Sequence, residues 1–455
     1  MSVFGMFIYL QRLSDNTTET CNVNNMLKLT EHVFGWNPDA AVADFFERAL
    51  LNQIRSTQHP DGRVIYNLTL RPGGTKHYQS LYDGFTCCVG TGMENHVKSG
   101  AGIYFHDADS LWVNLFIASE LNWKPRGLRV RQETQWPFAE TTTLSITSDK
   151  PQTFTLRLRH PHWAKNGIQI SINGQPVADQ STPSSYAEIR REWKTGDRVE
   201  LHFPMSLRTE AMPDNPQRIG IFYGPTLLAA NLGAVNDTRA VPVLVTDGKP
   251  VAQWVKPVAL SALTFRTSGV GKPCDVDLVP FFSLHDRRYT VYLDTFSSAE
   301  WARREAQLRD QQASEAKRAA RVVDVLRIGE MQPERDHNIQ GENTAAGEAL
   351  NRKYRHATDG GWFSFEMAVD PDKTNELVLT YWGGETLKRV FDIIVDGRKI
   401  ATQQLQQDNP GKFFDVTHPL PSDLTRGKSK VTVRLQAHPK AWGGGLFGAT
   451  SLRSE

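Results

Sequence analysis

Cysteine is scarce in this chain. Among 455 residues there are four, and three of them fall in two short motifs, Glu19-Thr-Cys21 and Cys87-Cys88, with Cys274 alone elsewhere. Such a distribution excludes a disulfide-stapled framework, which needs paired cysteines spread along the chain. Charge of one sign is also lacking: 52 basic against 50 acidic residues give a net charge of +2. Without a basic excess to neutralise phosphates, neither a nucleic-acid nor a membrane-surface role is expected. No apolar run is long enough to cross a membrane. The longest near the start, Val3–Leu10, has no basic residue before it and no small-residue cleavage site after it, so it is not read as a signal peptide. No repeat of fixed period is present. Hydrophobic residues make up 39% and aromatics 10%, enough for packed cores and too much for a disordered chain.

At this length two to four domains are expected. The first part, 1–109, reads as helical. Residues 22–34 carry an apolar stripe, and Asn37-Pro38-Asp39 is a start signal for a second stripe through Val42, Phe45, Phe46, Ala49, Leu50 and Ile54. A third helix is expected over 91–104. Tyr66 to Phe85, rich in Gly, Pro, Tyr and Arg, reads as a long ordered loop of the kind that carries function. At Ser110 the period changes to two. Leu111–Ile117, Thr142–Thr147, Phe154–Arg159, Ile168–Ile172 before the turn signal Asn173-Gly174, and Val199–Phe203 predict a β-sandwich over 110–215. A smaller β region is expected over 216–296. A charged linker helix over 297–321 opens on the capping box Ser297-Ser-Ala-Glu300. A further sandwich is expected over 322–455, from strand patterns at 362–369, 376–382, 391–395 and 430–435. The fold class is thus multidomain α + β.

Three thiolates and one carboxylate, from Glu19, Cys21, Cys87 and Cys88, are a donor set suited to tetrahedral zinc. Spacing alone favours a closed structural zinc site, and a vicinal Cys87–Cys88 disulfide is a third reading. In the loop, Arg71, Lys76, His77 and Tyr78 are candidate donors to sugar hydroxyls; the plainer reading is that they pin the loop. Glu94 and Asn95 read as ordinary helix-start residues, and His96 and His106 as structural histidines. Eleven tryptophans suit carbohydrate handling, although most are expected in cores.

The words around the cysteines are specific. Glu19-Thr-Cys-Asn with Asn25-Met-Leu-Lys-Leu-Thr-Glu31, Leu70-Arg-Pro-Gly73, Cys87-Cys-Val-Gly-Thr-Gly-Met-Glu-Asn95 and Leu156-Arg-Leu-Arg-His-Pro-His-Trp-Ala164 resemble the β-L-arabinofuranosidases of glycoside hydrolase families 127 and 146. The segment from Ile328-Gly329 through Gly341-Glu-Asn343 to Tyr381-Trp-Gly-Gly384 resembles an accessory domain appended to such enzymes. The resemblance implies a partial (α/α)6-barrel helical segment followed by jelly-roll-like β-sandwich domains. It implies Cys87 as nucleophile, Zn2+ held by Glu19, Cys21, Cys87 and Cys88, and substrates among the arabinosides of plant glycans or glycoproteins. Arg71, His77 and Tyr78 would then contact the sugar. Oligomeric state and compartment are not implied.

The pattern departs from the family at its start. Glu19 comes eighteen residues after Met1, where a long stretch of barrel is expected. Ser2–Leu10 shows no resemblance, and Asp15 is the one acidic residue before Glu19, so no general acid/base is carried over. The expectation is a chain with a replaced or shortened start and weak activity. Two rival readings stand beside it. One is a non-catalytic carbohydrate-binding protein using Trp163, Trp362, Trp382 and Trp442, the last followed by a Gly443–Gly445 loop. The other is a structural zinc module.

Overall fold

The computed structural model describes residues 18–97, 99–258, 262–407 and 409–454. Val3–Leu10 and Asp15 lie outside them. Among the described residues no helix is long and apolar enough to cross a membrane. The chain divides into two compact units, residues 1–302 and 303–455.

In the first unit three helices precede the sheets: α1 (Thr20–Trp36), α2 (Ala40–Asn52) and α3 (Cys87–Val97). Helix α1 buries Leu27 and Phe34 along the expected stripe. Helix α2 starts where the Asp39 carboxylate accepts from the Ala41 amide at 2.9 Å, an N-cap. The third helix corrects the sequence reading: it begins at the cysteine pair itself and ends by Val97, short of the strand Tyr104–His106. Gly92 is close to Val64 there, since a Cβ would come within 3.1 Å of it. The segment 66–85 is a loop, as read. Leu27, Phe46, Ile54, Ile103 and Leu115 form the small core beneath the helices.

Strands between 104 and 202 form two sheets, one of four strands and one of six. Their facing sides bury Leu128, Val130, Leu144, Phe154, Leu156, Trp163, Trp193 and Leu201 in one core. Period-two alternation sets this burial. Asn173 and Gly174 both take positive φ, 54° and 78°, as the two-residue hairpin turn requires. One predicted strand is shorter than expected: that at 111–117 spans only Ser110–Val113. A ten-stranded sheet follows over 207–296. The capping box is present, with the Ser297 amide and hydroxyl both donating to the Glu300 carboxylate at 2.8 Å. The helix it starts, Ser298–Arg321, has no buried residue.

The second unit is a nine-stranded sheet system around Phe363, Phe365, Leu379, Phe391, Ile393 and Val433. All four predicted strands are found there. Gly443–Gly445, expected as a loop, instead open the strand Gly443–Arg453.

Two acidic residues on the buried face of α2 contradict a simple amphipathic helix. Arg159, fully buried on the strand Gln152–His160, donates to the carboxylates of Asp44 and Glu47 and, through Nε, to the Asn114 carbonyl at 2.6 Å. Trp163 Nε1 donates to the other Glu47 oxygen at 2.7 Å. Burial alone would raise the Asp44 carboxyl. Hydrogen bonds from His162 and Ser184 and the Arg159 charge outweigh it and hold the group down to about 2. Removing one partner of such a cluster strands a buried charge, so Arg159→Ala is expected to destabilise the first unit by about 3–5 kcal/mol in denaturant titrations. Because the Asp44 pKa is depressed on folding, its contribution is present above the unfolded carboxyl range. Stability is therefore expected to fall as pH drops from about 4 towards 2, and in Asp44→Asn that part of the acid slope should be absent.

Candidate metal and nucleophile site

Two chain segments meet at the start of α1. The Glu19 backbone bridges Asn67, and the Thr20 amide donates to the Tyr66 carbonyl at 3.1 Å. Glu19 is the N-cap residue of α1, but its carboxylate makes no cap hydrogen bond. It is turned instead towards thiols: Oε1 lies 3.9 Å from Cys87 Sγ and 3.8 Å from Cys88 Sγ. Cys21 sits in the first turn of α1, and Cys87 and Cys88 in the first turn of α3. Both helices thus present their positive ends to the sulfurs, a field that favours thiolate over thiol.

One ligand atom from each of Glu19, Cys21, Cys87 and Cys88 lies within 4.8 Å of every other. The sulfurs of Cys87 and Cys88 are 3.9 Å apart, and those of Cys21 and Cys88 3.1 Å. Tetrahedral zinc with Zn–S bonds of about 2.3 Å separates its sulfurs by about 3.8 Å. The donor set and spacing therefore fit zinc, with a small opening of the Cys21–Cys88 pair. Cys87 and Cys88 are free cysteines, far beyond the ~2.05 Å of a disulfide, which removes the vicinal-disulfide reading.

The three sulfurs differ in environment. Cys88 is fully buried, and burial pushes its thiol well above the ordinary range. Cys87 is exposed. Its thiol is lowered, first by the Cys21 hydrogen bond and then by those from Cys88 and Tyr66. Tyr66 is pushed up to about 12 by its hydrogen bond to Cys87 and by the charges of Glu19 and Cys87, so it keeps its proton. Thr91 Oγ1 lies 3.2 Å from Cys21 Sγ and donates to the Cys87 carbonyl at 3.3 Å. Neither Tyr66 nor Thr91 carries a mark in the sequence. Tyr66 could have been found only through its place beside Asn67, which pairs with Glu19.

Tyr66 also lines an open cleft of about 890 Å³, together with Arg71, Gly73, His77, Tyr78 and Arg288. The structure thus brings the three predicted sugar contacts to one cleft, but not into the cysteine cluster. Arg71 and His77 are exposed in it. The hydroxyl of Tyr78 is engaged with His285 Nδ1 at 2.6 Å, which makes it a pin of the loop. Lys76 is buried and donates to the Phe281 carbonyl at 2.9 Å; burial lowers it to about 7. Gly73 and Gly74 exchange backbone hydrogen bonds with Tyr289. Glu94 pairs with Lys28 at 2.7 Å, and His106 packs against Trp123.

Comparison with known proteins bears on the family of the segments that carry these features. Residues 6–101 match the profile of the GH127 β-L-arabinofuranosidase catalytic domain, and 110–205 that of the GH127 middle domain. The first match corrects the expectation that likeness begins only at Glu19. Residues 232–295 and 317–450 match two domains of unknown function. No curated protein matches. Among solved structures, a glycoside hydrolase is similar at 20% identity and TM-score 0.52, over 61% of this chain and 52% of that one. A GH127 β-L-arabinofuranosidase from Geobacillus stearothermophilus T6 is similar at 22% identity and TM-score 0.50, over 61% and 50%. The chain spans about half the length of these structures.

The cluster is expected to bind one zinc per chain, measured by elemental analysis after gel filtration. Cys88→Ala should weaken binding by more than about 100-fold, since second-shell changes alone cost about 10–100-fold. Binding should weaken as pH falls from 8 to 5, because protons compete for the thiolates.

Proposed function

We propose that this chain, GH127 β-L-arabinofuranosidase-like in its catalytic- and middle-domain segments, is a retaining glycosidase acting on arabinose-containing glycans. Cys87 is its nucleophile, and Glu19, Cys21, Cys87 and Cys88 hold zinc. The helices up to Val97 belong, on this reading, to an (α/α)6 barrel of the family 127/146 type. One observation carries the proposal. Of the sulfurs in the cluster, Cys88 is buried and Cys21 half-buried, while Cys87 is exposed and bonded to Tyr66, which lines the cleft. A structural site has no use for an accessible thiolate; a nucleophile requires one.

Zinc bound here would strip the thiol protons and hold the sulfurs in place. Cys87 Sγ attacks the anomeric carbon, an S–C bond forms and the glycosidic C–O bond breaks, with the electron pair leaving on the aglycone oxygen. Water then displaces the sulfur from the same carbon, gives its proton to solvent and restores the thiolate; two inversions give retention. Tyr66 keeps its proton and donates to the sulfur, orienting it. Arg71 and His77 face the cleft as donors to hydroxyls.

Intact-protein mass spectrometry after incubation with zinc and an aryl β-L-arabinofuranoside tests this. An aryl oxygen leaves with little acid help, so the nucleophile is read alone. A pentosyl adduct on the wild type, absent in Cys87→Ala, is expected. Zinc bound with no adduct would favour the structural reading.

A further inference from the structure

The four tryptophans singled out in the sequence have different fates. Trp163 is in the core of the first unit. Trp362 is half-buried beneath the Arg434 guanidinium. Trp382 and Trp442 instead end on one continuous run of rings in the second unit. Trp382 contacts Phe413 at 5.0 Å between centroids, Phe413 contacts Phe447 at 4.8 Å, and Phe447 contacts Tyr354 at 5.3 Å. Tyr354 stacks on His356 at 5.6 Å, and His356 meets Trp442 at 5.0 Å. None of the six belongs to the hydrophobic core cluster of this unit; Phe447 is buried and the other five are half-buried, with the Arg352 guanidinium over the Phe413 ring at 4.3 Å. Core packing therefore does not account for the run.

Strand register gathers these rings at one end of the sheet system. Trp382 pairs with Phe413, Tyr381 with Leu446, and His356 with Gly444. The two tryptophans each open a glycine run, Trp382-Gly383-Gly384 and Trp442-Gly443-Gly444-Gly445. A Cβ at Gly384 would come within 2.7 Å of the Trp382 indole nitrogen, and one at Gly445 within 2.9 Å of Arg389 Nε. Glycine here keeps the backbone against the ring and the guanidinium while adding no side chain over them.

Beside Trp442 lies a buried ion pair, Arg389 with Glu385, whose side chains are 5% and 13% exposed. The Arg389 guanidinium lies 5.7 Å from the Trp442 ring. Its Nη1 and the Nδ1 of His356 are buried without a hydrogen-bond partner. Flat ring faces beside unsatisfied polar atoms match the two faces of a sugar. Its C–H face packs on the negative ring face, and its hydroxyls take the polar groups at the rim, the Glu385 carboxylate among them. Glu385 cancels the Arg389 charge, so the polar group recognises hydroxyls and not a carboxylate.

We infer that this end of the second unit, the Trp382-to-Trp442 ring run with the Glu385–Arg389 pair, is a binding site for a neutral glycan. It belongs to the second unit, whereas the cysteine cluster belongs to the first, and it would deliver binding without turnover. It stands whether or not the glycosidase reading does.

Affinity electrophoresis of the full chain tests it, in native gels containing arabinan, arabinoxylan or galactan, with polygalacturonate as the acidic control. Cys87→Ala serves as the background, so that hydrolysis cannot remove the ligand. Retardation by at least one neutral polysaccharide is expected. Trp442→Ala and Tyr354→Ala should each weaken it by about tenfold or more, with circular dichroism unchanged. Trp36→Ala, which removes a 78% exposed tryptophan of the first unit, should leave it unaltered. If Trp442→Ala fails to fold, Tyr354→Ala decides alone. Absence of retardation in every neutral gel would overturn the inference. So would equal retardation of the ring variants, or retardation by polygalacturonate alone. The glycosidase reading is judged independently by the covalent adduct on the wild-type chain.

Discussion

Everything at the cysteine site rests on how α2 is held. Three helices of 17, 13 and 11 residues are marginal alone, because helix formation is cooperative with a costly nucleus and each apolar stripe needs a partner. Arg159 gives α2 that partner: it reaches from the sandwich into the helix and is met by Asp44 and Glu47 one turn apart. The far end of α2 is fixed to the ten-stranded sheet, where Asn52 donates to the Pro225 carbonyl at 2.9 Å and accepts from the Leu227 amide at 2.7 Å. Helix α1 packs on α2 through Leu27 and Phe46, and the α1 start carries Glu19 and Cys21. The polar cluster thus fixes the helix on which α1 packs. The cost of burying three charged groups is offset by complete pairing, and the gain is a fixed direction for α2, which an apolar contact would leave free to slide.

Much of the fold was legible because period-two and helical patterns are local. The four strands read in the second unit and the stripe of α1 needed no tertiary information. The start of α3 did: Cys87 and Cys88 precede the residues with ordinary helix signals, and only convergence with α1 explains why the turn begins there. The extra strands Arg398–Leu405, Phe413–Leu420 and Gly443–Arg453 were illegible for another reason. The first two carry polar residues without clean alternation and the third opens on three glycines, and pairing with better strands recruits them. That Glu19, Cys21, Cys87 and Cys88 could form one donor cluster was legible from residue type. Tyr66 and Thr91 were not, because a phenol and a hydroxyl gain their roles only from the sulfurs they touch. Arg159 was visible as part of a motif but its acidic partners lie more than a hundred residues away, and no local pattern reports such a pairing.

The same four donors could serve a structural zinc centre or a nucleophile, and the difference lies in solvent access and not in ligand type. A centre that only stabilises a fold gains from burying every sulfur, since each exposed thiolate is a route for protons and oxidants. Here burial is graded. Cys88 sits under the start of α3 with no exposure, and Cys21 is held between Cys88 and Thr91. One position further N-terminal, Cys87 projects to the surface. Adjacent residues in the first turn of a helix point in directions about 100° apart. A Cys-Cys pair there therefore places one sulfur inwards and the next outwards. On the proposed reading, the inner sulfur and the carboxylate would retain the ion while the outer sulfur reacts. On that reading, two neighbouring cysteines would separate holding from reacting, which a single cysteine could not.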